Sequence, residues 1–356
     1  MNRYVAALVR ELEMVAADLQ PRTIFFGGGT PSILNLRQWE TVLGAMDRLG
    51  LTGADEWTVE CNPATLSLDK AKLLRAAGVN RISMGVQSLD AGLLERLGRL
   101  HSREMVFKSY DCLRTAGFER INLDLMFAIP GQTMEIWKST VAETIAMGSE
   151  HLSCYEVIYE EDTPLYEQLQ AGEFDVDDDL ACAMYDELID TAAAAGFAQY
   201  EVANFAQHDG EPSAGLPSRA CRHNVNYWRG GACQALGPSA SGYVDGRRIR
   251  NIANTERYCE QLALGQRAHE SVEQLSPLAS AGETAAFGLR MNAGWPFKLF
   301  EQTTGHDLRA GWVGDMQRAV ESDWGVRSDD RFHLTRQGMR FADMSAKRIP
   351  CRVRWN

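Results

Sequence analysis

Five polar sites in the first half of the chain could together do chemistry, because each falls at the end of a short apolar run. Gly27, Gly28, Gly29 and Thr30 follow the run at 23–26, and Glu60 closes the run at 57–60. Gln87 follows 81–85, Asp124 lies near the end of 121–126, and Tyr155 and Glu156 lie near the end of 152–157. Three consecutive glycines let backbone N–H and C=O groups approach a ligand with no Cβ in the way. Glu60 could accept hydrogen bonds from ribose hydroxyls or an ammonium group. Gln87 and Asp124 could fix polar edges, and Arg99 could clamp a carboxylate bidentately. Taken singly, each has a plainer reading: the glycines as a turn, Arg99 and Asp124 as a salt bridge inside the fold. The glycines do not form a Gly-x-Gly-x-x-Gly fingerprint, so a dinucleotide on a helix N-terminus is not indicated.

What makes the sites a set is the organisation that carries them. Helical spacing at 36–49, 68–77, 103–117 and 134–147 alternates with the five apolar runs. Gly78 and Gly117 stand where helices should stop. Strand–helix alternation of this kind predicts βα units on a parallel sheet with helices outside. The C-terminal ends of parallel barrel strands share one face, and that face carries the site. The chain opens on a helix at 4–18 with no strand before it, which is unusual for such an array.

The second half changes character. The acidic run at 175–179 reads as a solvated helix start, 180–195 as an amphipathic helix, and 207–218 as a loop rich in Gly and Pro. Beyond Asn254 the spacing predicts three or four short helices with a small β wing, and a terminal strand at 332–334 leading into 335–346. The expected organisation is a βα barrel over 1–206, a linking segment over 207–253 and a helical domain over 254–356. In the link, Arg222-His-Asn-Val-Asn-Tyr-Trp228 brings together an imidazole and two aromatic rings. The imidazole of His223 could ligate iron, and Tyr227 and Trp228 could cover a flat ring. The same residues could equally end a turn and pack as core. Cys221 just upstream could be a thiolate ligand or a buried free thiol.

Composition excludes several classes. A net charge of −12 argues against a nucleic-acid surface, and the 356 residues are 45% hydrophobic and 24% charged, as in soluble globular proteins. The first twenty residues are interrupted by Arg3, Arg10, Glu11, Glu13 and Asp18, so they form no signal-peptide core. Eight scattered cysteines fit a reducing compartment, and the expected location is the cytoplasm. The closest pair, Cys221 and Cys233, is twelve residues apart, so no C-x-x-C run exists to bind zinc or an iron–sulfur cluster.

Phe26-Gly-Gly-Gly-Thr-Pro31, Glu60-Cys-Asn-Pro63, Arg81-Ile-Ser-Met-Gly-Val-Gln-Ser88, Gly98-Arg-Leu-His101, Asn122-Leu-Asp-Leu-Met126 and Pro130-Gly-Gln132 resemble the radical S-adenosylmethionine proteins. Within them they look like the group of the oxygen-independent coproporphyrinogen III oxidase and the HemW-type haem chaperone, over most of the chain. The resemblance implies a partial radical-SAM βα barrel lacking its first strand, followed by a smaller, mainly helical domain. It implies that Gly28, Gly29, Thr30, Glu60, Gln87, Arg99 and Asp124 contact S-adenosylmethionine. It also implies a 4Fe–4S cluster, held in the family by a Cys-x-x-x-Cys-x-x-Cys run after the first strand. That run is absent here, and the expectation is a late gene start or truncation rather than a cluster-less protein. The His-Asn-x-x-Tyr-Trp pattern resembles the chaperone branch, with His223, Asn224, Tyr227 and Trp228 as haem contacts. The function so implied is to hold haem and deliver it to respiratory haem proteins, with transient contact to membrane proteins among them. The alternatives are oxidation of coproporphyrinogen III and an inactive remnant.

Overall fold

Period-two alternation in the first five strands decides which way the chemistry faces. The computed structural model describes residues 1–161, 163–209 and 215–342, and Cys351 and the end of the segment 335–346 lie outside them. The strands are β1 (Thr23–Phe26), β2 (Glu56–Cys61), β3 (Arg81–Gln87), β4 (Ile121–Phe127) and β5 (His151–Glu156). One set of their side chains is apolar and buried: Trp57, Val59, Ile82, Met84, Ile121, Leu123, Leu125, Leu152 and Cys154. The alternate set is mostly polar: Glu56, Thr58, Glu60, Arg81, Ser83, Asn122, Asp124, His151 and Ser153. The apolar set packs in one core with residues of the helices, among them Trp39, Leu113, Trp137 and Leu188.

Those helices are α1 (Asn2–Val15), α2 (Leu36–Arg48), α3 (Leu68–Ala76), α4 (Ala91–Arg96), α5 (Arg103–Thr115), α6 (Met134–Ala146), α7 (Pro164–Gln170) and α8 (Asp178–Ala194). Their starts are written in the sequence. The side chains of Asn35, Ser67, Ser102, Thr133 and Asp177 each accept a backbone N–H of the first turn. Gly78 and Gly117 end α3 and α5 at φ +107° and +84°, which side-chain-bearing residues rarely adopt.

The sheet has the order β1-β2-β3-β4-β5-β7-β6 among the described residues, parallel as far as β5. β6 (Phe197–Gln199) and β7 (Asn204–Gln207) then add an antiparallel hairpin that the sequence reading did not contain. Its connection is four residues long, too short for the crossover that parallel pairing needs. β1 is the opposite edge. Helix α9 (Arg222–Trp228) packs against it.

After α9 a three-stranded antiparallel sheet forms from β8 (Ser241–Val244), β9 (Arg247–Asn251) and β10 (His269–Gln274), with α10 (Thr255–Ala263) inserted between the last two. A small core joins this segment to α1: Ala7 with Ile252, Tyr258, Leu262 and Ala268. Within it the fully buried Glu11 accepts from the backbone N–H of Gly237 at 2.8 Å, Asn251 Nδ2 at 2.8 Å and the Tyr258 hydroxyl at 2.6 Å. The remaining helices are α11 (Pro277–Gly288), α12 (Phe297–Thr304), α13 (Leu308–Gly311), α14 (Val313–Glu321) and α15 (Arg336–Arg340). They enclose a separate core with β11 (Trp295–Pro296), β12 (Gly325–Arg327) and β13 (Arg331–Leu334), built on Trp295, Phe300, Trp312 and Phe332. This is more helices than the three or four expected beyond Asn254. The four-residue α13 and five-residue α15 are too short to show a helical period in sequence. No helix among the described residues is long and apolar enough to cross a membrane.

Replacing Glu11 by Ala leaves the Gly237 N–H and the Tyr258 hydroxyl without an acceptor and takes one of two acceptors from Asn251 Nδ2, each such bond to a carboxylate being worth roughly 1.5–3 kcal/mol. The expected result is a loss of about 3 kcal/mol or more in chemical denaturation. A denaturation midpoint within error of wild type contradicts this role.

Candidate functional site

Side chains from neighbouring loops lock the glycine turn after β1 in place. Lys70 at the start of α3 donates to the backbone carbonyls of Ser32, at 2.7 Å, and Thr65, at 2.9 Å. The Ser32 hydroxyl meets Thr65 Oγ1 at 2.6 Å and accepts from the Asn62 N–H at 2.9 Å. The Gly-Gly-Gly-Thr-Pro and Glu-Cys-Asn-Pro motifs are thus one joined structure. Its inner end is the Gly28 N–H, which donates to Glu60 at 3.1 Å. A Cβ on Gly27 would stand 2.6 Å from the Glu60 carboxyl carbon and strike the Phe25 ring. Only glycine lets the turn come this close. Gly28, Gly29 and Thr30 are exposed at its rim.

Gln87 closes β3 in a left-handed conformation, φ +58°, beside a register shift between Gly85 and Gln87. That conformation is uncommon for a residue with a side chain. Its Oε1 is buried with no hydrogen-bond donor. His101, in the Gly-Arg-Leu-His motif, supports the strand end by donating Nε2–H to the Val86 carbonyl at 3.0 Å. Arg99 stands exposed on the turn after α4.

Asp124 is held from inside the barrel. It accepts from the Ser83 hydroxyl at 3.0 Å and from Asn122 Nδ2 at 2.7 Å. Asn122 Oδ1 lies 2.6 Å from His151 Nδ1, so this nitrogen carries the proton. Burial and the nearby Arg81 charge hold His151 well below its usual pKa, so the ring is neutral. Its Nε2 then accepts from the Tyr200 hydroxyl at 2.8 Å. Burial pushes Asp124 up to about 6 against the pull of Ser83 and Asn122. Burial, with the Asp124 charge second, pushes Glu60 up to about 7. The Asp124 charge acts on Glu60, and a cationic ligand group beside the two carboxyls would relieve both.

The His-Asn-x-x-Tyr-Trp motif forms α9. No side chain at Cys221 caps it. The cap comes from β2: the fully buried Glu56 accepts the N–H groups of Arg222 at 3.1 Å and His223 at 3.0 Å. Arg120 approaches the same carboxylate at 3.4 Å. Along α9, His223 and Tyr227 lie one turn apart, as do Asn224 and Trp228. All four line a cavity of about 380 Å³ with Phe25, Tyr155, Glu201, Asn204 and Arg290. This is within the roughly 300–1,000 Å³ of small-molecule sites. Rings follow one another along its wall: Phe25 to His223 at 5.0 Å, His223 to Tyr227 at 6.1 Å, Tyr227 to Trp228 at 6.5 Å. His223 Nδ1 is 3.1 Å from Thr23 Oγ1, and burial lowers its pKa. Trp228 Nε1 is buried without an acceptor.

Comparison with known proteins decides the family. The Radical SAM superfamily model matches residues 2–143, and the HemN C-terminal domain model matches residues 275–341. The heme chaperone HemW of Bacillus subtilis is 33% identical over 344 residues, 95% of this chain and 88% of that protein. The HemW of Lactococcus lactis is 33% identical over 340 residues, 95% of this chain and 86% of that protein. The chain belongs to the HemW family of radical SAM proteins. Among solved structures, the Escherichia coli coproporphyrinogen III oxidase HemN aligns with 99% of this chain and 83% of its own, at a TM-score of 0.82 and 19% identity. That match establishes the shared fold.

The family implies S-adenosylmethionine and a 4Fe–4S cluster, and the two fare differently here. The buried Gln87 oxygen, the close glycine turn and the paired carboxylates fit a cationic, hydrogen-bonding ligand such as S-adenosylmethionine. The cluster finds no ligands: among the described residues no three His, Cys, Asp or Glu side chains converge. Burial raises the Cys61 thiol to about 12 and Cys221 to about 11, so both are inert protonated thiols. Cys221 is a buried free thiol with its sulfur 3.5 Å from Glu56 Oε1, and it does not line the cavity beside α9.

Sequence reasoning gives no role to Glu56, His151, Ser153, Glu201, Asn204 and Arg290, nor to Arg81 and Asn122 beyond their place in two motifs. A signal for the strand residues existed in the polar alternation Glu56-x-Thr58-x-Glu60, Asn122-x-Asp124 and His151-x-Ser153. Nothing in sequence points to Arg290, 62 positions beyond Trp228.

A carboxyl whose pKa rises on folding lends stability that is complete below its ordinary value and lost as pH climbs through the raised one. For Glu60 that window runs from 4.5 to about 7. Glu60→Gln should therefore gain thermal stability relative to wild type as pH rises across the window, with little difference below it. A midpoint difference that stays flat with pH rules out the strained Glu60.

Proposed function

We propose that this chain is a haem chaperone, holding haem in the cavity beside α9 and passing it to haem proteins of respiration, membrane-bound recipients included. The observation that carries the reading is His223. Its Nδ1 is engaged by Thr23, its ring is stacked on Phe25, and burial keeps it neutral at pH 7. A neutral imidazole fixed through one nitrogen is the state that ligates iron through the other. Tyr227 and Trp228 offer faces to a flat ring, and Asn224 offers a polar edge. That two of the relatives are heme chaperones named HemW supports the same reading.

In this reading S-adenosylmethionine lies at the neighbouring strand ends, contacted by Gly28, Gly29, Thr30, Glu60, Gln87, Arg99 and Asp124. When bound it supplies a sulfonium and an ammonium group, and the two carboxylates neutralise positive charge there. The exposed Arg99 is free to reach a ligand carboxylate. The proposed division of labour keeps the barrel at 1–206, the haem-contacting link at 207–253 and the helical unit at 254–356, with α10 strapped back onto α1. The shared fold with HemN keeps coproporphyrinogen III oxidation as the second reading. It predicts no specific haem site.

Titration with haem should give a Soret shift and near-unit stoichiometry. His223→Ala should weaken binding by more than about 1 kcal/mol, the cost of an ordinary substitution. Trp228→Ala should weaken it through lost ring contact, and Glu60→Ala should leave it unchanged. Equal affinity in wild type and His223→Ala removes His223 as ligand. Absence of saturable binding favours the oxidase.

A further inference from the structure

One rung of the sheet holds His223 twice. Thr23 and Glu56 are register partners on the neighbouring strands β1 and β2, so their side chains leave the sheet on the same face. Glu56 takes the main chain: its carboxylate accepts the His223 N–H at 3.0 Å. Thr23 takes the ring: its Oγ1 lies 3.1 Å from His223 Nδ1. Phe25 follows two positions along β1 on that same face and stacks on the imidazole, 5.0 Å between centres and 24° between planes. The ring is thus fixed by an edge and by a face. With Nδ1 held at β1, Nε2 is the nitrogen left for the cavity that His223 lines.

What Nδ1 meets decides how an imidazole behaves toward a metal at Nε2, because the proton must sit on Nδ1 when Nε2 gives its lone pair. That Nδ1–H needs an acceptor. The carboxylate on this rung is committed elsewhere: Glu56 Oε1 serves the His223 N–H and lies 3.5 Å from Cys221 Sγ, and Oε2 serves the Arg222 N–H with Arg120 at 3.4 Å. The ring is left with the hydroxyl of Thr23, which accepts without bringing a second charge beside the buried Glu56. We propose that Thr23 is the positioning residue of His223, holding its imidazole in the tautomer that presents Nε2 to iron. This rests on the haem reading and specifies how that site keeps its ligand ready. Glu56 and Thr23 divide the task, one setting where the helix carries the residue and the other setting which nitrogen is offered.

The test compares haem with protoporphyrin IX, the same ring without a metal, by Soret and fluorescence titration in one detergent. Thr23→Val keeps the branched shape that suits a strand and removes only the hydroxyl. It should lower haem affinity by about tenfold or more, the usual effect of removing a metal ligand's hydrogen-bond partner, and leave protoporphyrin within about twofold. Retained protoporphyrin binding shows that the cavity is intact. Thr23→Ser should return haem affinity to within about twofold of wild type. In a His223→Ala background, Thr23→Val should lower haem affinity no further, because the two residues act as one unit. Nitrogen-15 NMR of labelled histidine, with diamagnetic zinc protoporphyrin bound, should show a protected Nδ1–H on His223 in wild type and Thr23→Ser but not in Thr23→Val. Unchanged haem affinity in Thr23→Val, an equal loss of haem and protoporphyrin, a further loss in the His223→Ala background, no recovery in Thr23→Ser, or a Nδ1–H equally protected in Thr23→Val each overturns the positioning role and leaves the haem reading standing. Unchanged haem affinity in His223→Ala removes the iron ligand and the role of Thr23 with it. No saturable uptake of haem overturns both.

Discussion

The buried carboxylate of Glu56 is the contact on which the rest of the site depends. It stands at the start of β2 on the inner face of the sheet and receives the first two N–H groups of α9. Those donors have no partners within the helix, and at a helix N-terminus they present partial positive charge. Each hydrogen bond to a charged acceptor contributes roughly 1.5–3 kcal/mol. A seven-residue helix has little stability of its own. Glu56 therefore decides both that 222–228 is helical and that it lies against the sheet. Once α9 is placed, His223 reaches Thr23 and Phe25 on the edge strand, and Trp228 reaches under Arg290. Arg120 at 3.4 Å supplies the opposite charge that such a buried carboxylate requires.

The inner face continues that logic as a connected polar layer: Ser83, Asn122, Asp124, His151, Ser153, Asn204, Glu201 and Tyr200. Each hydrogen bond fixes the next donor or acceptor, down to the tautomer of His151. Such a layer is rigid when its members are satisfied, and costly where they are not. The atoms left over are informative for that reason. Gln87 Oε1 lies at the strand ends, and Glu201 Oε2 and Trp228 Nε1 lie at the cavity. The inner face thus finishes in two adjacent sites of unlike character. One is anionic, around Glu60 and Asp124. The other is aromatic, between α9 and Arg290.

Much of this architecture was legible in the chain itself. The apolar runs and the helical spacing of α2, α3, α5 and α6 located the βα units to within a residue or two, because both signals are local and strong. The capping residues and the glycines at 78 and 117 set the helix limits. The polar strand ends at Glu60, Gln87 and Asp124 arrived on one face because parallel strands share their direction, which the alternation of strand and helix already demands. The motif residues at 223–228 also carried their chemical types openly, an imidazole beside two rings.

Tertiary structure decided what those residues face. The β6–β7 hairpin turned back because its connection is short, and the sheet ended antiparallel. Arg99, which sequence alone made equal to Asp124, stayed exposed while Asp124 was enclosed by Ser83 and Asn122. Glu56 carries no sequence signal of its own role, since the N–H groups it accepts are 166 and 167 positions away. Glu11 holds atoms up to 247 positions away. Arg290 enters the cavity only because its carbonyl is pinned to Val202. A sequence states local preference and residue chemistry, since both are properties of a few neighbouring residues. Which buried charge meets which donor depends on distant segments packed together, and only the folded chain supplies that.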